Sequence, residues 1–218
     1  MSNRRNMFET QVEKEHYFNA KYDKLERFIS YYYQAQTAIS TNPKTILEIG
    51  VGNKTVTNYL KQFGYRVTTA DFDESLGVDY VADVRELPMN NKEFDTTLIF
   101  EVLEHIPFED LDKALSELAR VSKNYVVVSF PHSCINLELG AKFSLQFWSK
   151  KHFVPIRIPY FFIKSSVKRN HQHYWEMGRM DHSKRKVMRK FREYFEVENT
   201  FHPPLNQNHF FMVLRPKE

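Results

Sequence analysis

Four short apolar runs in this chain each end on a glycine pair or a carboxylate, and that pattern narrows the fold more than any other feature. Thr45-Ile46-Leu47-Glu48-Ile49 stops at Gly50-Val51-Gly52, and Tyr65 to Ala70 stops at Asp71. Val78 to Ala82 stops at Asp83, and Phe94 to Phe100 stops at Glu101. Short apolar runs cut off by turn formers read as buried strands. Val56, Tyr59, Leu60 and Phe63 repeat at helical spacing between the first two, with Gly64 placed as the C-terminal cap. Leu111, Ala114, Leu115 and Leu118 follow the i, i+3, i+4, i+7 pattern of an amphipathic helix, and Tyr125 to Phe130 is a strand stopped by Pro131. Strands alternating with helices imply a mostly parallel sheet covered on both faces, hence an α/β fold. The end of the chain breaks the rhythm. Ser183 to Arg192 reads as a helix with Val187, Met188 and Phe191 inward, and Phe195–Phe201 and Phe210–Leu214 are strands with only a loop between them. No helix fits in that gap, so the pair is expected to be antiparallel.

The length, 218 residues, suits one substantial domain that buries its core without staples. A single cysteine, Cys134, excludes an internal disulfide and a four-cysteine zinc site. No run approaches the roughly 18 apolar residues of a membrane span, and Met1 to Asn6 leads into a polar stretch, so the expected location is cytoplasmic. The expected organisation is one domain, 1–218, in four parts. Residues 1–41 form a helical segment, its helix over 8–39 ended by Asn42-Pro43, and 44–131 form the core. Residues 133–172, aromatic, basic and broken by Pro155 and Pro159, fit no regular pattern and are expected as an insertion or lid over the sheet's carboxyl edge. Residues 173–218 hold the last helix and the strand pair. The net charge of +4 is divided: 42–138 carry 9 Lys/Arg against 16 Asp/Glu, whereas 139–218 carry 16 against 6. The basic end is either a solvated helix around Lys184-Arg185-Lys186 or a face for an anion: phosphate, nucleic acid or a membrane surface.

Ligands of open α/β sheets sit beyond the carboxyl ends of the strands. Those ends here are Glu48 to Gly52, Asp71, Asp83 and Glu101. Glycines at 50 and 52 let the backbone turn tightly and come close to a ligand. Asp71 follows Gly50 by 21 residues, where a carboxylate takes ribose hydroxyls, and Asp83 is placed to accept from an adenine amino group. The dinucleotide fingerprint fails, because its third glycine falls on Thr55. A nucleoside-like cofactor without phosphates fits better than a pyrophosphate.

The series Ile46-Leu47-Glu48-Ile49-Gly50-Val51-Gly52, Thr69-Ala70-Asp71-Phe72-Asp73, Ala82-Asp83-Val84 and Phe100-Glu101-Val102-Leu103-Glu104-His105-Ile106 resembles the class I S-adenosylmethionine-dependent methyltransferases, most closely the small single-domain type 11 group. The resemblance runs from about Lys44 to Pro131. It implies a Rossmann-like, seven-stranded sheet with one C-terminal antiparallel strand pair, and S-adenosyl-L-methionine as cofactor with S-adenosyl-L-homocysteine as product. It also implies roles. Glu48 orients the first loop and the methionine part, and Gly50 and Gly52 bring backbone close. Asp71 binds the ribose, Phe72 lies against adenine, Asp83 and Val84 meet the adenine edge, and Glu101 lies beneath the methionine end. Where the family often has a third glycine this chain has Lys54, whose charge is unfavourable near a sulfonium unless it points outward.

On the acceptor side, Glu101, Glu104 and His105 are spaced i, i+3, i+4 and share a face if the chain turns helically. His173 comes later, in Asn170-His171-Gln172-His173-Tyr174-Trp175-Glu176. His105 and His173 are the candidate catalytic bases, since histidine titrates in the right range. A structural or capping His105 is the plain alternative, and Trp175 reads as ordinary core. Two carboxylates and a histidine on one turn, plus His173, also offer donors for Mg²⁺ or Mn²⁺. The pattern is similar to that of the quinone-pathway O-methyltransferases and the small-RNA 3′-end 2′-O-methyltransferases. The same letters occur in metal-free type 11 enzymes, so a metal stays open. The expected function is methyl transfer to an O or N atom of a small-molecule, glycan or lipid-linked anionic acceptor. The alternatives are an RNA methyltransferase and a non-catalytic S-adenosylmethionine-binding protein. Peripheral membrane contact through Phe147, Trp148, Phe153, Tyr160, Phe161 and Phe162 is a further reading of the insertion.

Overall fold

A computed structural model describes residues 14–19, 21–145, 148–160, 163 and 173–217. Its main sheet has seven strands: β1 (Thr45–Ile49), β2 (Arg66–Asp71), β3 (Tyr80–Val81), β4 (Phe94–Phe100), β5 (Ser122–Pro131), β8 (Phe195–Phe201) and β9 (His209–Pro216). They lie in the order β3-β2-β1-β4-β5-β9-β8, parallel from β3 to β5, with β9 antiparallel to both β5 and β8. This is the expected α/β sheet with its closing antiparallel pair. The central strands are apolar on both sides because each side is covered. Leu47, Ile99, Val128 and Met212 pack with Leu115 and Leu118 of α3 (Leu111–Val121) and Phe191 of α4 (Lys184–Tyr194). Their neighbours Ile46, Leu98, Val127 and Phe211 pack on the other face with Ala35 and Ala38 of α1 (Leu25–Ser40) and Val56 and Leu60 of α2 (Thr55–Gln62). Each such fully buried side chain contributes roughly 1.5–3 kcal/mol.

Two element boundaries differ from expectation for local reasons. The helix expected over 8–39 begins only at Leu25, with 8–13 outside the described residues. Asn19 breaks it: its Oδ1 accepts from the Lys21 and Tyr22 amides, both at 3.1 Å, and its amide donates to the Glu15 and His16 carbonyls. That side chain gives the backbone an alternative to helix. Edge strand β3 keeps two residues of the expected five, because Asp79 spends its carboxylate on the Thr69 amide and hydroxyl at 2.8 and 2.7 Å.

The stretch expected to be irregular contains a hairpin. β6 (Cys134–Leu145) and β7 (Trp148–Pro159) pair antiparallel along twelve residues each, as a second, two-stranded sheet. Ile135, Leu137 and Leu139 face Ile158, Ile156 and Val154 across the ladder, and all six are between 48% and 60% exposed. The opposite row turns to the 202–208 loop: Glu138 accepts from the Leu205 amide at 2.9 Å and from Gln207, and Asn136 donates to Asn208. That loop precedes antiparallel β9, so the hairpin is anchored at the carboxyl edge of the parallel strands. Phe147, Phe161 and Phe162 lie outside the described residues.

Candidate active site

The turn after β1 is built for close backbone approach. Gly50 has φ +78°, and a Cβ there would lie 2.1 Å from Val102 Cγ2. Gly52 is also left-handed, at φ +48°. Asp71, 6% exposed at the end of β2, holds this turn: Oδ2 accepts from the Val51 amide at 3.0 Å and Oδ1 from the Asp73 amide at 3.1 Å. Burial pushes its carboxyl up from the usual range, and those amides oppose the push. Phe72 beside it is 37% exposed. Glu48 is buried within the sheet, accepts from the Thr57 hydroxyl, and is pushed up to about 7, chiefly by burial. Lys54 adopts φ +60°, the conformation a glycine would take, and turns away to donate to the Gly77 carbonyl at 2.6 Å.

Asp83 is differently engaged. Its two oxygens take the Arg85 guanidinium, at 2.6 Å for the closest pair, and Arg85 also reaches Asp110 at 2.8 Å. Arg85 holds the Asp83 carboxyl below its usual range against the effect of burial. Val84 next to it is buried in the core.

Beyond β4, Glu101 takes φ +55° and accepts from the Ser129 hydroxyl at 2.8 Å, with His209 Nδ1 at 3.5 Å. Leu103–His105 then form one 3-10 turn. Glu104 points inward, 1% exposed, and neither carboxylate oxygen has a hydrogen-bond partner. Burial, reinforced by Glu101, raises its carboxyl well above the usual range. His173 packs edge-on to His105, ring centroids 4.9 Å apart. Two bonds dock the returning chain: Tyr174 N–H to the Glu104 carbonyl at 2.8 Å, and Trp175 Nε1 to the Leu103 carbonyl at 3.0 Å. Trp175 is fully buried, as expected. His173 Nδ1 lies 3.1 Å from Glu176 Oε1, while Glu176 Oε2 accepts from Ser133 and from Arg179 at 2.8 Å. The hydrogen bond from His173, then those from Ser133 and Arg179, hold Glu176 down to about 2 despite its burial. A cavity of about 490 Å³ opens beside it, with His132, Ser133, Asn136, Tyr160, Glu176 and Asn208 among its walls.

Residues 47–129 match the family model described as a methyltransferase domain. Residues 47–129 thus form a methyltransferase domain, on the fold of the class I S-adenosylmethionine-dependent methyltransferases. No curated protein sequence matches the chain. Among solved structures, it is similar to the N-methyltransferase NodS from Bradyrhizobium japonicum WM9, in complex with S-adenosyl-L-homocysteine, at TM-score 0.62 and 12% identity, over 94% of this chain and 96% of that one. The 1,6-didemethyltoxoflavin-N1-methyltransferase from Burkholderia thailandensis, with bound 1,6-didemethyltoxoflavin and S-adenosylhomocysteine, gives TM-score 0.58 and 17% identity over 94% and 85%. The glycopeptide N-methyltransferase MtfA, also with S-adenosyl-L-homocysteine, gives 0.58 and 14% over 84% and 88%. Identities this low speak for a shared fold.

The methyltransferase brings Glu104, His105 and His173 into one group, with one ligand atom of each within 4.8 Å of the others. Glu101 is turned to Ser129 and His209 instead, because its positive φ takes it off the turn that carries the other two. Sequence reasoning missed Glu176 as the partner of His173, although the spacing of three residues was available. It also missed Tyr17, whose ring lies 3.6 Å from where a Cβ on Gly52 would be. Tyr17 packs edge-on with His16 and Tyr22. Burial first, then Tyr22, Asp71 and Asp73, push its phenol up to about 12. Nothing in the spacing of residues 14–24 ties them to Gly52.

Proposed function

We propose that this methyltransferase moves a methyl group from S-adenosyl-L-methionine to an O or N atom of a small-molecule or glycan acceptor. The observation that supports it is the open pocket of about 490 Å³ whose wall residue Glu176 also holds His173. Methyl transfer is a displacement at carbon, so alignment and removal of one proton are what the protein supplies. The residues present fit the cofactor. Left-handed Gly50 and Gly52 turn the backbone sharply after β1, and Asp71, with one amide on each oxygen, keeps acceptor capacity for two ribose hydroxyls. Phe72 offers an exposed ring to the adenine, and Val84 with Asp83 borders it. Arg85 fixes the Asp83 carboxylate, so the adenine edge meets backbone there in preference to that side chain. Glu48 and Glu101 bound the methionine end. His105 and His173 stand where the acceptor's proton is released. Arg157 and Lys184, whose charges act on the cavity residue His132, favour an acceptor bearing an anionic group.

Calorimetry with S-adenosyl-L-homocysteine tests the cofactor end: one site is expected, and Asp71→Ala weakens it at least tenfold. Unchanged binding in that variant would overturn the placement. At the other end, His173→Ala is expected to lower turnover by roughly a hundredfold or more while cofactor affinity stays. Equal turnover in the variant would remove His173 from the reaction.

A further inference from the structure

Resting on the reading of the open pocket as the acceptor's, we propose that Arg157, Lys184 and His202 hold a phosphoryl group of that acceptor. The three come from separate elements. Arg157 lies on β7 directly across the ladder from Asn136, a wall residue of the pocket. Lys184 opens α4, and its ammonium lies 4.5 Å from the centre of the Phe210 ring. His202 follows β8, its ring centre 5.0 Å from that of Phe210. Among the described residues, neither Arg157 nor Lys184 forms an ion pair. Arg157 donates to the Gln207 amide oxygen, and Gln207 in turn donates to Glu138, so an uncharged amide links the guanidinium to that carboxylate. Cations gathered without a counter-ion repel one another, and an anion with several acceptor oxygens relieves the repulsion. Burial first, then Arg157, pulls the Lys184 ammonium below its usual range.

The histidine pair supplies the third donor. His132 Nδ1 and His202 Nε2 are 2.8 Å apart, and His132 Nε2 is buried without a partner. An orphaned buried N–H is rarer than an under-used acceptor, so the His132 proton belongs on Nδ1, donated to His202 Nε2. Burial with the charges of Arg157 and Lys184 keeps both rings neutral. A neutral His202 whose Nε2 accepts carries its own proton on Nδ1. That N–H has no acceptor among the described residues, on a ring that is half-buried. A guanidinium fork, an ammonium and an imidazole N–H together suit a tetrahedral anion, whereas a carboxylate is satisfied by the fork alone. The pocket also sets a direction. Its wall residue Glu176 is ionised, held by His173, Ser133 and Arg179, and repels an anion. The phosphoryl end therefore turns to Arg157 and Lys184, and the reacting O or N atom to His173.

The test titrates the full-length protein with inorganic phosphate at fixed ionic strength, by calorimetry and by Tm. It needs neither cofactor nor turnover, so it fails or succeeds apart from the methyl-transfer reading, which S-adenosyl-L-homocysteine binding checks separately. Expected are one saturable site per chain and a rise in Tm with phosphate. Arg157→Gln and Lys184→Gln are each expected to weaken phosphate about tenfold or more, and His202→Phe severalfold. Arg185→Gln, which removes the same charge from the exposed residue beside Lys184, leaves the affinity unchanged. A Tm equal to the parent's without phosphate verifies that each variant folds. Displacement of phosphate by glucose 1-phosphate assigns the group to a soluble ester, and displacement by vesicles carrying phosphatidic acid assigns it to a lipid-linked one. Displacement by neither, equal displacement by acetate, no saturable phosphate binding in the parent, or Arg157→Gln and Lys184→Gln titrating like Arg185→Gln overturns the proposal.

Discussion

Single residues in this molecule hold conformations that their neighbours enforce. Gly50 is the clearest: a methyl at its Cβ would meet Val102 at 2.1 Å, on a backbone at φ +78°. Gly50→Ala is expected to lower Tm by several degrees and weaken cofactor binding, because left-handed strain alone costs about 1–2 kcal/mol. Scanning calorimetry with and without S-adenosyl-L-homocysteine measures both. His132 and His202 form a second such case, paired at 2.8 Å. Burial, with Lys184 and Arg157 nearby, holds His132 down to about 4. Burial, Arg157, His132 and Lys184 hold His202 down to about 3. Both rings are therefore neutral when folded, whereas the unfolded chain protonates them below about pH 6.5. Their contribution to stability is fully present above that pH and is lost as pH falls through it toward 4. The slope is at most about 1.4 kcal/mol per pH unit for each ring. Denaturant unfolding from about pH 8 to about pH 5 checks the sign, and His202→Gln is expected to flatten the curve.

At the level of elements, the readable parts were those whose side chains obey one period. β1, β2, β4 and β5 and the helices α2, α3 and α4 announce themselves through apolar runs or helical spacing, because both faces of the sheet are covered. The turn after β1 and the carboxylate after β2 were legible for the same reason, since Gly50, Gly52 and Asp71 stand where strands stop. The β6–β7 hairpin was not. Its alternation of Ile135, Leu137 and Leu139 with polar residues was present, but Pro155 and Pro159 argue against a strand. In a two-stranded sheet every strand is an edge, where proline is tolerated. The grouping of His173 with His105 depends on a return from a distant segment, and Glu176 behind it on tertiary contact that no spacing encodes. The hairpin's outer row gives an element-scale prediction. Replacing Leu137, Leu139 and Ile156 together by Thr is expected to change stability by no more than about 0.5 kcal/mol per site and to reduce binding of an apolar dye. A large fall in Tm would mean that this row is covered in solution.

On the scale of the whole molecule, charge is separated along the chain. Residues 142–192 carry 14 Lys/Arg against Glu176 and Asp181, beside the acidic 42–138. An acceptor with an anionic group is expected to bind more weakly as salt is added, since the screening length falls to about 8 Å at physiological ionic strength. Affinity measured across a salt series checks this, and a flat series would remove the anionic requirement. The N-terminal segment has a different bearing on the whole. Tyr17 rests over Gly52 and beside Asp71 and Asp73, while Tyr22 stacks under Arg27 at 3.8 Å and feels the charge of Glu101. The turn over residues 14–19 thus shares the floor on which the cofactor is expected to lie. Loading and unloading that floor are then expected to run on the clock of a peptide segment as well as on diffusion, with the spent nucleoside leaving past the same ring. A truncation that begins after Tyr22 is expected to exchange cofactor faster and to hold it less long, a difference in residence time that stopped-flow displacement reads directly.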